Sequence, residues 1–505
     1  MALISIIEDF HPLRDERLLK RAAELKPELC HEDREPVTLP AQSFGKGESF
    51  CLDFGEHLVG RITLDLSFQG SHPDAPAFLR LRFAETLREL DETPETYQGW
   101  LSQSWIQEEM LHVDLLPSTL SLERRYAFRY LRITVLDTSP KYRLKVIRAV
   151  CRTESSANWQ SVKPLQGGDA LLRRIHAASL KTLADCMQEV LEDGPKRDRR
   201  LWMGDLRLQA LTNAVSFRNF DLVKRCLYLF GGSRFPDGRI SANIFDTPEP
   251  EADDTFLFDY AMMFVAALEE YLRETGDEET LRDLYDIAMV QIDYALREEE
   301  NGLLGARTLR ETFIDWSDTL DKTACAAGVL LYALGFALKL AERKGDRGRA
   351  EMLLAEQAKL RENIMLQFWD AERGCFVSKG QISAASQVWM VLAGAGSEEQ
   401  RRAAMEKALT LSGEPRMTTP YMHHYFVMAL LNAGLRDEAE RHLKAYWGGM
   451  LSAGADTFFE CWDPEHPDHS PYGGLMLNSF CHAWSCTPAY IIEKYLLESP
   501  ENTPG

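Results

Sequence analysis

Four carboxylates and four cations crowd one fourteen-residue stretch, EDGPKRDRRLWMGD, at residues 192–205. Asp193, Asp198 and Asp205 lie close in sequence to Arg197, Arg199 and Arg200, and arginine holds carboxylates in a fixed, often bidentate geometry. Trp202 adds a flat apolar face of the kind on which sugar rings stack. The Gly194-Pro195 turn bends the stretch into a corner. Such a corner is either a salt-bridged surface bend or the floor of an acid–base site, and its charges alone do not choose between them.

A second acid comes from far along the chain. In ADTFFECWDPEHPDHSPYGG, residues 455–474, Glu460 sits in an apolar and aromatic frame of Phe458, Phe459, Cys461 and Trp462. A carboxylate there is either paired or raised in pKa, and both conditions suit a general base. The run Asp463, Glu465, His466, Asp468, His469 carries metal-binding side chains. Its two prolines and lack of helical spacing make a poor cage, so no metal is expected. In SFCHAWSC, residues 479–486, His482 lacks the second cysteine pair of a zinc site and reads as a pocket or core histidine. Two more patches mix acids with aromatic rings: DDTFLFDY (Asp253, Asp254, Asp259, Tyr260) and FIDWSD (Asp315, Trp316, Asp318). They suit gripping a sugar or capping a helix. No GxGxxG, P-loop, GxSxG or HExxH occurs, and no cofactor is expected. Two acids from distant loops flanking one bond are the minimum apparatus for glycoside hydrolysis.

The elements that position these residues fall into two textures. From about 48 to 153 the apolar residues alternate, as in RITLDLSF (Ile62, Leu64, Leu66, Phe68), FLRLRF and YRLKVIRAV. Six or so half-buried antiparallel strands predict a β-sandwich. After Asn158 helical spacing takes over, near 169–190, 205–230, 254–274, 278–299, 321–343 and 347–369, then 381–394, 397–410, 420–433, 435–448, 474–484 and 486–498. Some segments are apolar all round and others half charged, which two concentric helix layers require. Twelve helices in six hairpins predict an (α/α)6 barrel. The expected divisions are an N-terminal extension (1–45), a β-sandwich (46–157) and the barrel as catalytic domain (158–500). The polar insertions 191–204, 232–253, 301–320 and 449–473 fall between the helices, where loops carry chemistry.

Bulk properties narrow the partner. The 505 residues carry a net charge of −21, from 57 basic and 78 acidic side chains, and are 45% hydrophobic. That balance excludes nucleic acid and anionic membrane surfaces and suits a small neutral glycoside or oligosaccharide. No leader-like N-terminus and no apolar run of membrane-spanning length is evident. Ten cysteines without a CxxC pair read as reduced thiols of a cytoplasmic protein. A homo-oligomer is left open.

The motifs also carry a resemblance. Asp193-Gly194-Pro195-Lys196-Arg197-Asp198-Arg199, followed by Trp202-Met203-Gly204-Asp205, resembles the signature of the bacterial α-L-rhamnosidases (glycoside hydrolase family 78). That signature runs Asp-Cys-Pro-x-Arg-Glu-Arg and then Trp-x-Gly-Asp. DTFFECWD is similar to the family's Thr-x-x-Glu-x-Trp stretch and SFCHAW to its Ser-x-x-His stretch. DFGEHLVGRITL, RFAETL and RYLRI resemble its β-domain. The resemblance runs from about residue 50 to 495, in the family's order. It implies an inverting exo-α-L-rhamnosidase, with Asp198 at the position of the catalytic acid and Glu460 at that of the general base. It further implies Asp193 and Asp205 on the sugar hydroxyls and His482 in the pocket. Arg197, Trp202, Asp254, Asp315, Trp316 and Trp462 complete the expected substrate-binding set. Inversion implies carboxyls roughly 6.5–9.5 Å apart. Two departures stand out. Aspartate at 198 is about 1.5 Å shorter than the family's glutamate, so the backbone comes closer, Glu192 assists, or the substrate is a related sugar. Gly194 replaces a cysteine. The family's C-terminal β-domain is expected to be missing. Another (α/α)6 glycosidase and an inactive carbohydrate-binding homologue are the alternatives.

Overall fold

A computed structural model describes residues 10–300 and 302–497. Six strands build the N-terminal sandwich: β1 (Ser49–Gly70), β2 (Ala77–Ala84), β3 (Glu108–Val113), β4 (Ser118–Ser121), β5 (Tyr126–Asp137) and β6 (Tyr142–Thr153). The 22 residues of β1 serve both layers. Its first half pairs with β5, and its second half pairs with β6 and β4. β5 continues to β2 and β2 to β3, all antiparallel. The alternating residues do what their period demands: Ile62, Leu64, Leu79, Leu81, Ile133 and Leu144 are wholly buried between the layers. Each such side chain contributes about 1.5–3 kcal/mol of apolar burial.

Residues 10–45 are tied to both halves. Asp33–Arg34 pairs along β6. Helix α1 (Glu16–Glu24), capped by Asp15, lays Leu18, Leu19 and Ala22 into the helical core.

The barrel helices are α2 (Ala170–Cys186), α3 (Met203–Val215), α4 (Phe220–Gly232), α5 (Phe258–Thr275), α6 (Glu278–Arg297), α7 (Thr323–Lys344), α8 (Arg347–Phe368), α9 (Ala384–Leu392), α10 (Glu398–Ala408), α11 (Pro420–Asn432), α12 (Arg436–Ser452) and α13 (Pro488–Ile491). The inner ring is α3, α5, α7, α9, α11 and α13, and the others pack outside it. Burial follows the layers. Phe258–Leu272 of α5 is buried all round, whereas α8 buries only Leu353, Leu360, Ile364 and Phe368. Helix α7 is long and apolar enough to cross a membrane, but its place is the inner ring, with 78% of that apolar window buried in protein.

Two expected helices differ. The one predicted over 205–230 is two helices. Arg218 turns left-handed (φ 55°), its N–H bonds Asn213 O at 2.8 Å, and Asn219 caps α4 through Leu222 N–H at 3.1 Å. The helix predicted over 474–484 does not form. Only short turns at Leu475–Leu477 and Ala483–Ser485 remain. Between them the chain is extended alongside 457–460, with Glu460 N–H bonding Ser479 O and His482 N–H bonding Phe458 O, both at 2.9 Å. Apolar spacing alone cannot separate a short helix from a buried extended segment.

The loops entering the inner helices gather at one end of the barrel and bond to one another. Ala483 N–H bonds Asp193 O (2.7 Å), Met203 N–H bonds Ala242 O (3.0 Å) and Trp462 N–H bonds Thr418 O (2.9 Å).

Candidate active site

The 192–205 corner closes on itself before it meets anything else. Asp193 N–H bonds Arg200 O at 2.9 Å, and Arg200 N–H returns a bond to Asp193 Oδ1 at 3.1 Å. At its tip Asp198 (φ 63°) and Arg199 (φ 54°) are both left-handed, so the aspartate is presented by an unusual backbone. Its side chain keeps 21% exposure among neighbours that are nearly sealed. The corner also presses against the extended 479–482 segment: a Cβ on Gly194 would stand 2.9 Å from Ser479 Oγ and 3.4 Å from Cys481 O. A cysteine in this place needs that segment to yield.

Glu460 lies across from Asp198, fixed at both oxygens. Tyr472 donates its hydroxyl to Oε1, Arg197 donates to Oε2, and Ser479 N–H adds a bond to Oε2 at 3.3 Å. Burial alone would push this carboxyl up, but Arg197, with smaller help from the Tyr472 hydroxyl, holds it below the usual glutamate range. It is an anion. Arg197 is the link between the two acids. Its Nη1 stands 3.5 Å from Asp198 Oδ1 while Nη2 bonds Glu460, its Nε–H bonds Leu477 O at 2.9 Å, and it lies 4.2 Å over the Tyr472 ring. One guanidinium spanning both groups keeps their nearest oxygens within about 8 Å.

His482 stands among three acids: Nδ1 is 3.3 Å from Asp205 Oδ1, and Nε2 is 3.9 Å from Asp193 Oδ2 and 3.8 Å from Glu460 Oε1. Burial, offset in part by Glu460, pushes its pKa down to about 4, so the ring is neutral. Asp193 is pushed well up by burial and by Asp198 and Asp205. Asp205, in the first turn of α3, is pushed well up by burial and by Glu460. The site thus holds a fixed anion, a neutral imidazole and two carboxyls that burial and neighbouring acids push towards the protonated form. Among the described residues Trp202 Nε1 and Trp316 Nε1 are buried without a hydrogen-bond partner, and Asp205 Oδ1 and His482 Nδ1 have only each other, at 3.3 Å. Buried polar atoms are normally satisfied, so this set is one that a polyhydroxylated ligand would complete.

Trp202 and Trp316 stand at the edges of the site. Trp202 meets Tyr260 edge-on at 6.3 Å and Trp316 meets Tyr472 edge-on at 5.9 Å. Gly204 lets Tyr260 in; a Cβ there would stand 2.5 Å from Tyr260 Cζ. Asp254 is half-buried in the loop before α5, and no bond to it is found among the described residues.

Two expected binding residues are turned to other work. Asp315, raised to about 6 by burial, accepts Trp316 N–H (2.8 Å) and Thr418 N–H (3.0 Å) and so braces two loops. Trp462 is buried in the barrel core with its indole nitrogen facing Gly449 of α12. Asp259 accepts Phe313 and Ile314 N–H, both at 2.9 Å, which is also a structural task. Glu192 is not free to assist the acid: Arg125 of the sandwich donates to both its oxygens at 2.8 and 2.7 Å. The sequence reasoning missed Tyr472. Its only signal is an aromatic residue in HSPYGG, 12 positions after Glu460. Among the described residues one group has metal-ligand proximity, His57, Asp185 and Cys481, on the buried sandwich–barrel boundary and outside the 463–469 loop.

Comparison with known proteins agrees with this geometry. The model of the glycosyl hydrolase family 78 α-rhamnosidase N-terminal domain matches residues 20–153, and that of the bacterial α-L-rhamnosidase six-hairpin glycosidase domain matches residues 162–496. The chain belongs to glycoside hydrolase family 78. It is a glycoside hydrolase of the α-L-rhamnosidase type. Among solved structures, a rhamnosidase from Klebsiella oxytoca with rhamnose bound superposes with a TM-score of 0.94 at 43% identity, covering 96% of this chain and all (100%) of that one. Two further rhamnosidases share the fold at lower identity. The Bacillus sp. GL1 rhamnosidase has a TM-score of 0.75 at 23% identity, covering 95% of this chain and 48% of its own. The Streptomyces avermitilis α-L-rhamnosidase complexed with L-rhamnose has 0.69 at 19%, covering 93% and 44%. No curated protein sequence matches the chain.

Proposed function

We propose that the protein is an inverting exo-α-L-rhamnosidase that removes a terminal α-linked L-rhamnose. Asp198, as the general acid, gives a proton to the glycosidic oxygen as the bond to the anomeric carbon breaks. Glu460, anionic, takes a proton from the water that attacks the opposite face. Each transfer is of the kind that contributes about 10²–10⁴ in rate. Asp193, Asp205 and His482 orient the ring through its hydroxyls, and Trp202 and Trp316 flank it. After product release Asp198 regains its proton from solvent and Glu460 loses one.

The observation that carries the reading is Arg197, which touches Asp198 with one nitrogen and bonds Glu460 with another. It favours the anionic form of the base and puts one guanidinium between the two acidic groups. A separation of at most about 8 Å lets the two groups flank one glycosidic bond. The K. oxytoca rhamnosidase, with rhamnose bound, supports the choice of sugar. The test is hydrolysis of p-nitrophenyl α-L-rhamnoside by wild type, Asp198→Asn and Glu460→Gln. The proposal expects a deep loss in both variants; unchanged activity in either removes the role of that residue. No turnover by wild type on a panel of aryl glycosides would favour a binding protein instead.

We also propose a cytoplasmic location, on the ground that all ten cysteines are free thiols.

A further inference from the structure

The acid loop is held from the sandwich as well as from the barrel. Lys196, two residues before Asp198, is only 1% exposed. Its ammonium is bonded to Glu89 of the sandwich, donates to Asn478 O at 2.7 Å and lies 3.5 Å from Glu85 Oε2. Glu89 and Glu85 are buried as well. Each is held by a further donor, Glu89 Oε1 by Thr86 N–H at 2.7 Å and Glu85 Oε2 by Phe480 N–H at 2.6 Å. A buried ion pair is seldom more stabilising than apolar side chains of the same volume. What it does supply is a fixed position.

One residue after Asp198 the sandwich takes hold again, since Arg199 donates to Arg125 O at 2.8 Å. The left-handed turn at Asp198 and Arg199 therefore lies between two anchors on the sandwich. Non-glycine residues keep that conformation where their surroundings over-determine it. The aspartate is also about 1.5 Å shorter than a glutamate, which leaves its reach to be made up by the backbone.

We propose that Glu89, acting through Lys196, is a positioning residue for the general acid: this ion pair between sandwich and barrel sets the turn that brings the Asp198 carboxyl to the glycosidic oxygen. The proposal rests on the reading of Asp198 as the acid. The sandwich is then a working part of the catalytic unit. Loosening the pair withdraws the proton donor, whereas Glu460 stays held by Tyr472 and Arg197 stays held by Leu477 O, so chemistry suffers more than sugar binding.

Leaving-group dependence tests this. A dinitrophenolate departs without a proton, whereas an alkoxide does not. The double variant Glu89→Met/Lys196→Met removes both charges and conserves volume, with Tm followed to confirm folding. Its kcat on a methyl or glucosyl α-L-rhamnoside is expected to fall about 100-fold, its kcat on 2,4-dinitrophenyl α-L-rhamnoside to stay within about threefold, and KM to hold for both. Should the double variant fail to fold, Glu89→Gln, which keeps a hydrogen bond to Lys196, is expected to show a smaller loss with the same selectivity. Asp198→Asn is run beside them. If Asp198→Asn is selective for the poor leaving group and the Glu89 variants lose both substrates equally, or neither, the positioning role is overturned and the acid stands. If Asp198→Asn is itself unselective, the reading of the acid fails and this proposal fails with it.

Discussion

Replacing Tyr472 by phenylalanine removes a single oxygen, the one that donates to Glu460 Oε1. The ring is retained, and with it the stacking under Arg197 at 4.2 Å. Arg197 and Ser479 N–H still bond Oε2, so the variant isolates one bond to one anion. Hydrogen bonds to charged groups contribute about 1.5–3 kcal/mol, and one pKa unit corresponds to about 1.36 kcal/mol. Losing a donor disfavours the anion, so the Glu460 pKa rises from its depressed value. Glu460 works ionised, and the acid limb of the kcat/KM profile should therefore move to higher pH. Near neutrality, where the carboxylate stays ionised, little activity is lost. The assay is p-nitrophenyl α-L-rhamnoside hydrolysis by both enzymes across the acid range. An acid limb that stays in place, or moves to lower pH, would refute the assignment of that limb to Glu460.

Further outcomes follow from single contacts. Gly204→Ala places a methyl 2.5–2.9 Å from the Tyr260 ring, and overpacking of this kind should cost about 1–3 kcal/mol in a denaturation experiment, with reduced kcat because Asp205 is the next residue. Glu192→Gln should show none of the leaving-group selectivity of an acid variant, because Arg125 already occupies both oxygens; a selective loss would return Glu192 to the acid's role. His482 has a folded pKa of about 4 against 6.5 for an unperturbed histidine. The unfolded chain binds the extra proton between those values, so up to about 3 kcal/mol of stability present above pH 6.5 is lost as pH falls towards 4. Comparing wild type with His482→Asn by denaturation at several pH values measures it, and parallel stability curves would contradict a neutral buried ring.

The carboxylates of the site are legible in the sequence because burial and spacing constrain charged residues strongly. Asp193, Asp198, Asp205 and Glu460 stand out from the chain, whereas their partners do not. Glu460 is marked by its aromatic frame, and that frame is core: Trp462 supports the loop from behind. The strands are readable from period two, whereas the helix break at Arg218 depends on a left-handed residue that is not glycine. The 474–484 segment has helix-like apolar spacing but spends its backbone bonds on 457–460 and on sandwich carboxylates such as Glu92, which accepts Leu475 N–H at 2.9 Å. Long-range partners of this sort leave no local trace. For the same reason Lys196 reads as one more cation in a charged run, when it is among the most deeply buried side chains of the protein.

The account stands on Glu460 activating water across the sugar from Asp198. Proton NMR of the first product released from an α-L-rhamnoside reports this directly. Attack opposite the leaving group yields β-L-rhamnose first, with the α-anomer growing in only by mutarotation. Initial release of the α-anomer would contradict it.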